Sequence, residues 1–161
     1  MLFEDAIQVL DALKAAEVRH WVAGGWGVDS LVGRQTRHHR DLDLAVDDDD
    51  LAECLATCAG HGYVTETDWL PIRVELWASA DRWVDVHPVT FDSNGHGVLG
   101  DPMGTHFNYP PTAFTVGVIG DRDIPWLSAG QQEIFHSGYE LRPQDQHDLA
   151  LLAALKKASM S

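Results

Sequence analysis

Apolar residues at Phe3, Ile7, Leu10 and Leu13 fall near helical spacing and predict a packing helix over residues 3–17. The apolar run Trp21-Val22-Ala23 then predicts a short strand, and Trp26-Gly27-Val28-Asp29-Ser30-Leu31 can begin a helix after the pair Gly24-Gly25. Asp41-Leu42-Asp43-Leu44 alternates polar with apolar and opens a second strand that runs to Val46. Residues 51–59 read as a helix closed by Gly60 and Gly62, with Asp50 and Glu53 spaced as in a capping box. From Tyr63 the period changes to two. Residues 63–69, 72–77 and 82–87 each alternate as strands, and Ser79-Ala80-Asp81 turns between the last two. Residues 91–121 are rich in Gly and Pro, and predict a hairpin at Asn94-Gly95 followed by one or two short strands. Residues 123–127 read as a last edge strand, where Pro125 is tolerated. Ser128 caps a helix over 128–137, and a final helix over 144–157 carries Leu149, Leu152 and Leu155 and ends on Lys156-Lys157.

The chemistry concentrates in residues 20–46. Side chains on a strand alternate faces, so Asp41 and Asp43 project from one face while Leu42 and Leu44 go to the core. Two carboxylates that close repel and raise one another's pKa unless a cation lies between them. Mg²⁺ held by one or two carboxylates and substrate phosphates is the usual answer. Upstream, Gly24 and Gly25 let backbone N–H groups approach a phosphate, and the helix that follows adds its positive end. The loop 34–40 adds Arg34, Arg37 and Arg40 with His38 and His39. On the strand 82–87, Val84 and Val86 face one way and Trp83, Asp85 and His87 the other, which lets Asp85 meet Asp41 and Asp43 across neighbouring strands.

The pattern Gly24-Gly25 followed by Asp41-x-Asp43 resembles the polymerase β-type nucleotidyltransferase superfamily. GGWGVDSLVGRQTRHHRDLDL as a whole resembles its small antibiotic-modifying branch, the lincosamide and aminoglycoside enzymes. WVDVHPV (83–89), LPIRVELW (70–77) and IFHSGYEL (134–141) are similar to the lincosamide nucleotidyltransferases in order and spacing, and the likeness runs from about residue 5 to residue 157. Trp26 stands where many superfamily members have Ser, and residues 26–40 make a longer spacer than the common one; the antibiotic branch shares both departures. The resemblance implies an α/β (α+β) fold: a small mixed sheet flanked by helices over residues 1–127, with 128–161 a helical segment packed on it as one unit. It implies Asp41, Asp43 and Asp85 as metal ligands, with Asp85 also taking a proton from the acceptor hydroxyl and Glu75 as the fallback base. Gly24, Gly25, Arg37 and Arg40 would cradle phosphates, and His87 could reach the acceptor sugar. The implied reaction is transfer of a nucleoside monophosphate, AMP by default from ATP, to a small antibiotic, a lincosamide before an aminoglycoside. Members of this branch are often dimers. A nucleotidyltransferase-type antitoxin or protein AMPylator remains as an alternative, as does a non-catalytic nucleotide-binding module, against which the three aspartates argue.

Among 161 residues, 25 acidic against 11 basic side chains leave a net charge of −14, which argues against a nucleic-acid partner. The acidic, amphipathic N-terminal residues lack the pattern of a signal peptide, and no stretch reaches the ~18 apolar residues of a membrane span; the expectation is a cytoplasmic protein. Cys54 and Cys58, four apart on a helix, read as small buried residues in a reducing compartment.

Overall fold

The computed structural model describes residues 1–100, 106–119, 122–136 and 140–159. Helix α1 (Phe3–Ala15) leads to β1 (His20–Val22), α2 (Gly24–Val32), β2 (Asp41–Asp47) and α3 (Leu51–Gly60). Strands β3 (Val64–Trp69), β4 (Arg73–Ser79), β5 (Arg82–Phe91), β6 (Gly97–Gly100), β7 (His106–Tyr109), β8 (Phe114–Ile119) and β9 (Arg122–Leu127) follow. The chain then forms α4 (Ala129–Phe135) and α5 (Pro143–Ser159). The main sheet has the order β3-β4-β5-β2-β1-β9-β8, with β6 and β7 branching from the end of β5. It is mixed, as expected: β2 runs parallel to β5 and β1 parallel to β9, while the other pairs are antiparallel. No helix among the described residues is long and apolar enough to cross a membrane.

One sheet face is sealed by α1 and α3. Leu42, Leu44, Val84 and Val86 point into that layer and meet Leu10, Leu13, Cys54 and Cys58. Leu42, Leu44 and Val86 are fully buried, each stabilising the fold by about 1.5–3 kcal/mol. Cys54 and Cys58 are free, buried thiols. A second apolar cluster gathers Ala23, Ala45, Leu99, Tyr109 and Leu127, with Trp21 packed against it, its ring tilted 54° to Phe114 at 4.6 Å. Phe114 is a core plug, whereas Phe107 keeps 41% of its surface exposed. Val64, Trp69, Leu70 and Trp77 are exposed at the β3 end of the sheet.

Two local expectations need correction. Residues 123–127 are not an edge strand: β9 lies between β1 and β8, and β8 is the edge. Pro125 is accommodated because β1 meets β9 only at the pair Val22↔Trp126, so Pro125 pairs with β8 alone, opposite Val116. The capping box at Asp50 does not form. A 3₁₀ turn over Asp48–Asp50 precedes α3, Asp47 accepts from the Asp49 amide, and Asp50 receives Arg19 Nε at 2.7 Å. The salt bridge to Arg19 therefore outcompetes the local cap. The hairpin at Asn94-Gly95 forms between β5, which extends to Phe91, and β6, and the two short strands β7 and β8 follow it as expected. The Ser128 cap is present, its Oγ accepting from the Gln131 amide, and α4 ends at Phe135. Ser137, Gly138 and Tyr139, within the quoted 134–141 motif, lie outside the described residues.

Helices α4 and α5 pack on α2, and α5 is tied to the basic loop by Asp148, which accepts from Arg37 Nε at 2.9 Å and Nη2 at 2.7 Å. Burial alone would raise Asp148, but the Arg37 hydrogen bonds, with the His136 imidazole 3.9 Å away, hold it at about 2. Folding thus lowers this pKa, so the contribution, about 2 kcal/mol, is complete above pH ~4 and fades as pH falls through 2. Asp148→Asn is expected to destabilise the protein by about 2–4 kcal/mol at pH 7, less than a wholly buried pair because Arg37 keeps some water. Denaturant melts of the two proteins should draw together below pH ~4 and meet near pH 2; a constant difference from pH 7 down to pH 2 would remove the ion-pair account.

Candidate active site

On the sheet face opposite α1 and α3, Asp41, Asp43 and Ala45 project from β2. The parallel register sets Asp43 beside Asp85 and Ala45 beside His87, and antiparallel β4 sets Glu75 on the other side of Asp85. Asp43, Asp85 and Glu75 therefore form a row across three strands, with Asp41 two residues from Asp43 and His87 two residues from Asp85 along their own strands. Asp43, Asp85 and His87 each offer a ligand atom, and these atoms lie within 4.8 Å of one another. Burial, then the Asp41 and Asp85 carboxylates, push Asp43 up to about 8 against the pull of Arg37 and Arg40. Asp85 is raised as well, by burial first, with His87 and Arg73 opposing.

Arg73 donates from Nη1 to Asp85 Oδ2 at 3.0 Å, while Asp85 Oδ1 is buried with no hydrogen-bond partner among the described residues. His87 Nε2 lies 3.7 Å from Asp85 Oδ2, beyond hydrogen-bond range. Enclosure lowers the His87 pKa, so the imidazole is neutral at pH 7. Glu75 Oε1 sits 3.5 Å from Arg73 and 3.8 Å from Arg40.

The glycine pair opens α2 rather than preceding it. Gly24 is the first helical residue, at φ +57°, and a Cβ there would lie 2.0 Å from Asp43 Oδ2; only glycine lets the carboxylate rest against the helix start. A Cβ on Gly25 would fall 2.3 Å from both Arg37 Nη2 and His39 Nδ1. Ala23 gives no side-chain cap and the first turn of α2 has no acidic residue, so its positive end faces the cleft uncompensated from within the helix. Trp26, the departure from the superfamily pattern, is a core residue whose ring lies 4.4 Å from that of His39, tilted by 43°.

Arg37 and Arg40 both line the cleft, but each already faces carboxylates: Arg37 holds Asp148, and Arg40 Nε lies 3.3 Å from Asp41 while its guanidinium covers Trp83. The cleft, about 900 Å³, runs from the carboxylate row to Leu99, Phe107, Tyr109 and Phe135. Several of its residues escape a sequence reading. Arg73 shares a β4 face with Glu75, so period-two alternation could have found it. His39 is fully buried on Asp29, which also accepts from the Thr36 amide at 3.0 Å; that pair sits ten residues apart with no pattern to mark it. His136, Asp145 and Asp148 come from α4 and α5 and join the cleft only through tertiary packing.

Residues 5–152 match the aminoglycoside-2''-adenylyltransferase family. The chain is 32% identical over 152 residues to a lincosamide resistance protein of Staphylococcus haemolyticus, an alignment that spans 94% of each. It is 29% identical over 118 residues to a 2''-aminoglycoside nucleotidyltransferase of Klebsiella pneumoniae, across 73% of this chain and 62% of that protein. Its fold superposes on the crystal structure of the lincosamide antibiotic adenylyltransferase LnuA with lincomycin bound at a TM-score of 0.88, with 32% identity over 96% of this chain and 98% of that one. The family match and the near-full-length relative together establish that the chain belongs to the aminoglycoside-2''-adenylyltransferase family of nucleotidyltransferases.

Proposed function

We propose that this protein transfers AMP from ATP to a hydroxyl of a lincosamide such as lincomycin or clindamycin and releases pyrophosphate. The observation that carries the reading is the cross-strand pair Asp43–Asp85 beside the glycine-opened start of α2, in a cleft of small-molecule size.

The residues present fit a divalent cation. Asp85 Oδ1 is buried without a partner, and Asp43 is driven towards its protonated form by enclosure and its carboxylate neighbours; a cation among them relieves both. Asp41, Asp43 and Asp85 would hold Mg²⁺, which supplies charge stabilisation at the α-phosphate and the departing pyrophosphate. The acceptor oxygen attacks the α-phosphorus, the bond from that phosphorus to the pyrophosphate oxygen breaks, and Asp85 takes the hydroxyl proton. Its elevated pKa suits that task, and Arg73 on Oδ2 fixes the carboxylate in place. The N–H groups of Gly24 and Gly25 and the α2 dipole receive the triphosphate, with Arg37 and Arg40 beside them. His87 and Glu75 flank the base where the acceptor enters.

The lincosamide choice rests on a gradient in the cleft. Along β2 its floor changes from Asp41 and Asp43 to Ala45, and beyond lie Leu99, Tyr109, Leu127 and Phe135. An acceptor with both hydroxyls and an apolar portion uses both ends, whereas a polyamine sugar leaves the apolar end unfilled. The family match favours an aminoglycoside as the second reading. Residues 128–161 act with 1–127 as one unit, since α4 and α5 contribute Phe135 and Asp148 to the cleft. The place of action is the cytoplasm, where ATP is supplied. A homodimer formed by a second copy against the β3 end covers Trp69 and Trp77, which are 55% and 38% exposed.

With Mg²⁺-ATP, lincomycin is expected to gain the mass of one adenylyl group, AMP less water, and kanamycin none; faster adenylylation of kanamycin would overturn the acceptor choice. Asp85→Asn should lose about 10²–10⁴-fold in rate, some 3–5 kcal/mol of barrier, while keeping ATP binding, and Asp43→Asn should lose both. Full activity of Asp85→Asn with a dead Glu75→Gln would move the base to Glu75. Sedimentation at micromolar concentration should give a dimer that Trp69→Lys dissociates, and a monomeric wild type would remove that arrangement.

A further inference from the structure

The apolar end of the cleft contains a hydroxyl that no described residue engages. Tyr109 is 1% exposed, and its neighbours in the second cluster are Ala45, Val89, Leu99, Ala113 and Leu127. Its ring stacks on Phe114 at 5.8 Å, 13° from parallel, and meets Phe135 at 5.6 Å. Beside it β7 is fastened to α4, where the Asn108 carbonyl accepts from Gln131 Nε2 at 3.3 Å, so the ring is held from two sides. The hydroxyl makes no hydrogen bond among the described residues, and burial is what moves its pKa, upwards from the ordinary phenol value. A buried phenol ordinarily finds a partner, and one left without it costs the fold free energy. The aromatic and aliphatic neighbours would pack as well against a phenylalanine. Tyr109 is nonetheless part of the cleft wall, unlike Tyr63, whose unpaired hydroxyl is sealed in the core.

The surroundings define what would engage it. The cluster reaches β2 at Ala45, two strand residues or roughly 7 Å beyond Asp43, so the partner is carried on the far part of a molecule whose near part meets the carboxylates. An ammonium would be costly to desolvate among these side chains, whereas an uncharged group is not. A phenol held in its neutral form donates a hydrogen bond, and an uncharged oxygen accepts it. We infer that the Tyr109 hydroxyl is a specificity-determining contact: it donates to a neutral oxygen on the apolar arm of the acceptor, and so selects a hydroxylated sugar joined to such an arm against a polyamine sugar. The inference rests on the transfer reading above and adds the atom by which the far end of the acceptor is recognised. A pocket built around a hydrogen bond discriminates more sharply than apolar contact alone, because the wrong ligand leaves the hydroxyl buried and unpaired.

The test compares the wild type with Tyr109→Phe, using Mg²⁺-ATP with lincomycin or kanamycin. The KM for lincomycin should rise about 10-fold in Tyr109→Phe, with kcat and the KM for ATP within about twofold of wild type. The variant should melt at or above the wild-type temperature, since it removes an unpaired buried hydroxyl. A melting temperature lower by about 3 °C or more would reveal a partner within the protein and overturn the proposal. An unchanged KM for lincomycin in a folded Tyr109→Phe overturns it too. A measurement on the wild type does not need that variant to fold. With the three tyrosines labelled with ¹³C at Cζ, the Tyr109 signal is identified by removing the others in Tyr63→Phe and Tyr139→Phe. It should shift when lincomycin is added with Mg²⁺ and the α,β-methylene analogue of ATP, which cannot transfer AMP; an unmoved signal at saturation overturns the proposal. Absence of lincomycin turnover by the wild type, or turnover of kanamycin alone, overturns the transfer reading and this contact with it, whereas equal KM values while lincomycin turns over overturn this contact alone.

Discussion

The parallel pairing of β2 with β5 governs both the core and the cleft. Seven consecutive pairs, from Asp41↔Trp83 to Asp47↔Val89, fix one register. In that register Leu42, Leu44, Val84 and Val86 all enter the layer under α1 and α3, each buried to within 1% of completeness. A slip of one residue on either strand would turn its aliphatic side chains into the cleft and its carboxylates into the apolar layer. Four such burials, at roughly 1.5–3 kcal/mol each, outweigh the repulsion between Asp43 and Asp85 across the same strands. The carboxylates are thus held together by the hydrophobic contacts behind them, and their crowding is what makes the site receptive to a cation.

The approach of α2 depends on the same sheet. The Ala23 amide donates to the Asp43 carbonyl at 2.9 Å, anchoring the helix start to β2 at the residue whose side chain lies against Gly24. The helix terminus and the carboxylate are therefore positioned by one short stretch of backbone, and any side chain at residue 24 would separate them. Behind this contact, Met1, Phe3 and Trp26 pack around His39, whose carbonyl accepts from the Met1 amino group. The basic loop is consequently seated on the core at its far end before the two aspartates begin.

Much of this was legible in the sequence because it follows from period-two alternation. Asp41 and Asp43 against Leu42 and Leu44, and Asp85 and His87 against Val84 and Val86, are local facts that survive folding unchanged. What could not be read was competition between local and distant partners. Asp50 is spaced to cap α3 but turns to Arg19, 31 residues earlier, whose Nε, Nη2 and backbone amide together satisfy both carboxylate oxygens. Pro125 suggested an edge, yet the neighbouring β1 is so short that an internal strand tolerates it. The partner of Arg37 lies 111 residues away on α5, and nothing in the loop's own pattern points to it.

These ion pairs decide how a triphosphate can be received. Arg37, Arg40 and Arg73 line the cleft, and each is already matched to a carboxylate: Asp148, Asp41 and Asp85 respectively. Arg40 keeps 62% of its side chain exposed and its contacts are 3.3 and 3.8 Å long, so exchanging Asp41 for phosphate costs little. Arg37 is different. Its two bonds to Asp148, a side chain 2% exposed, are short, and withdrawing it would leave that carboxylate buried with only His136, 3.9 Å away, beside it. On the proposed function Arg37 would stay in place and offer phosphate only the guanidinium edge near Gly25, while Arg40 would be the cation that moves. Its release of Asp41 would free a carboxylate next to Asp43, so arrival of the triphosphate and readiness of Asp41 to hold Mg²⁺ would be one event.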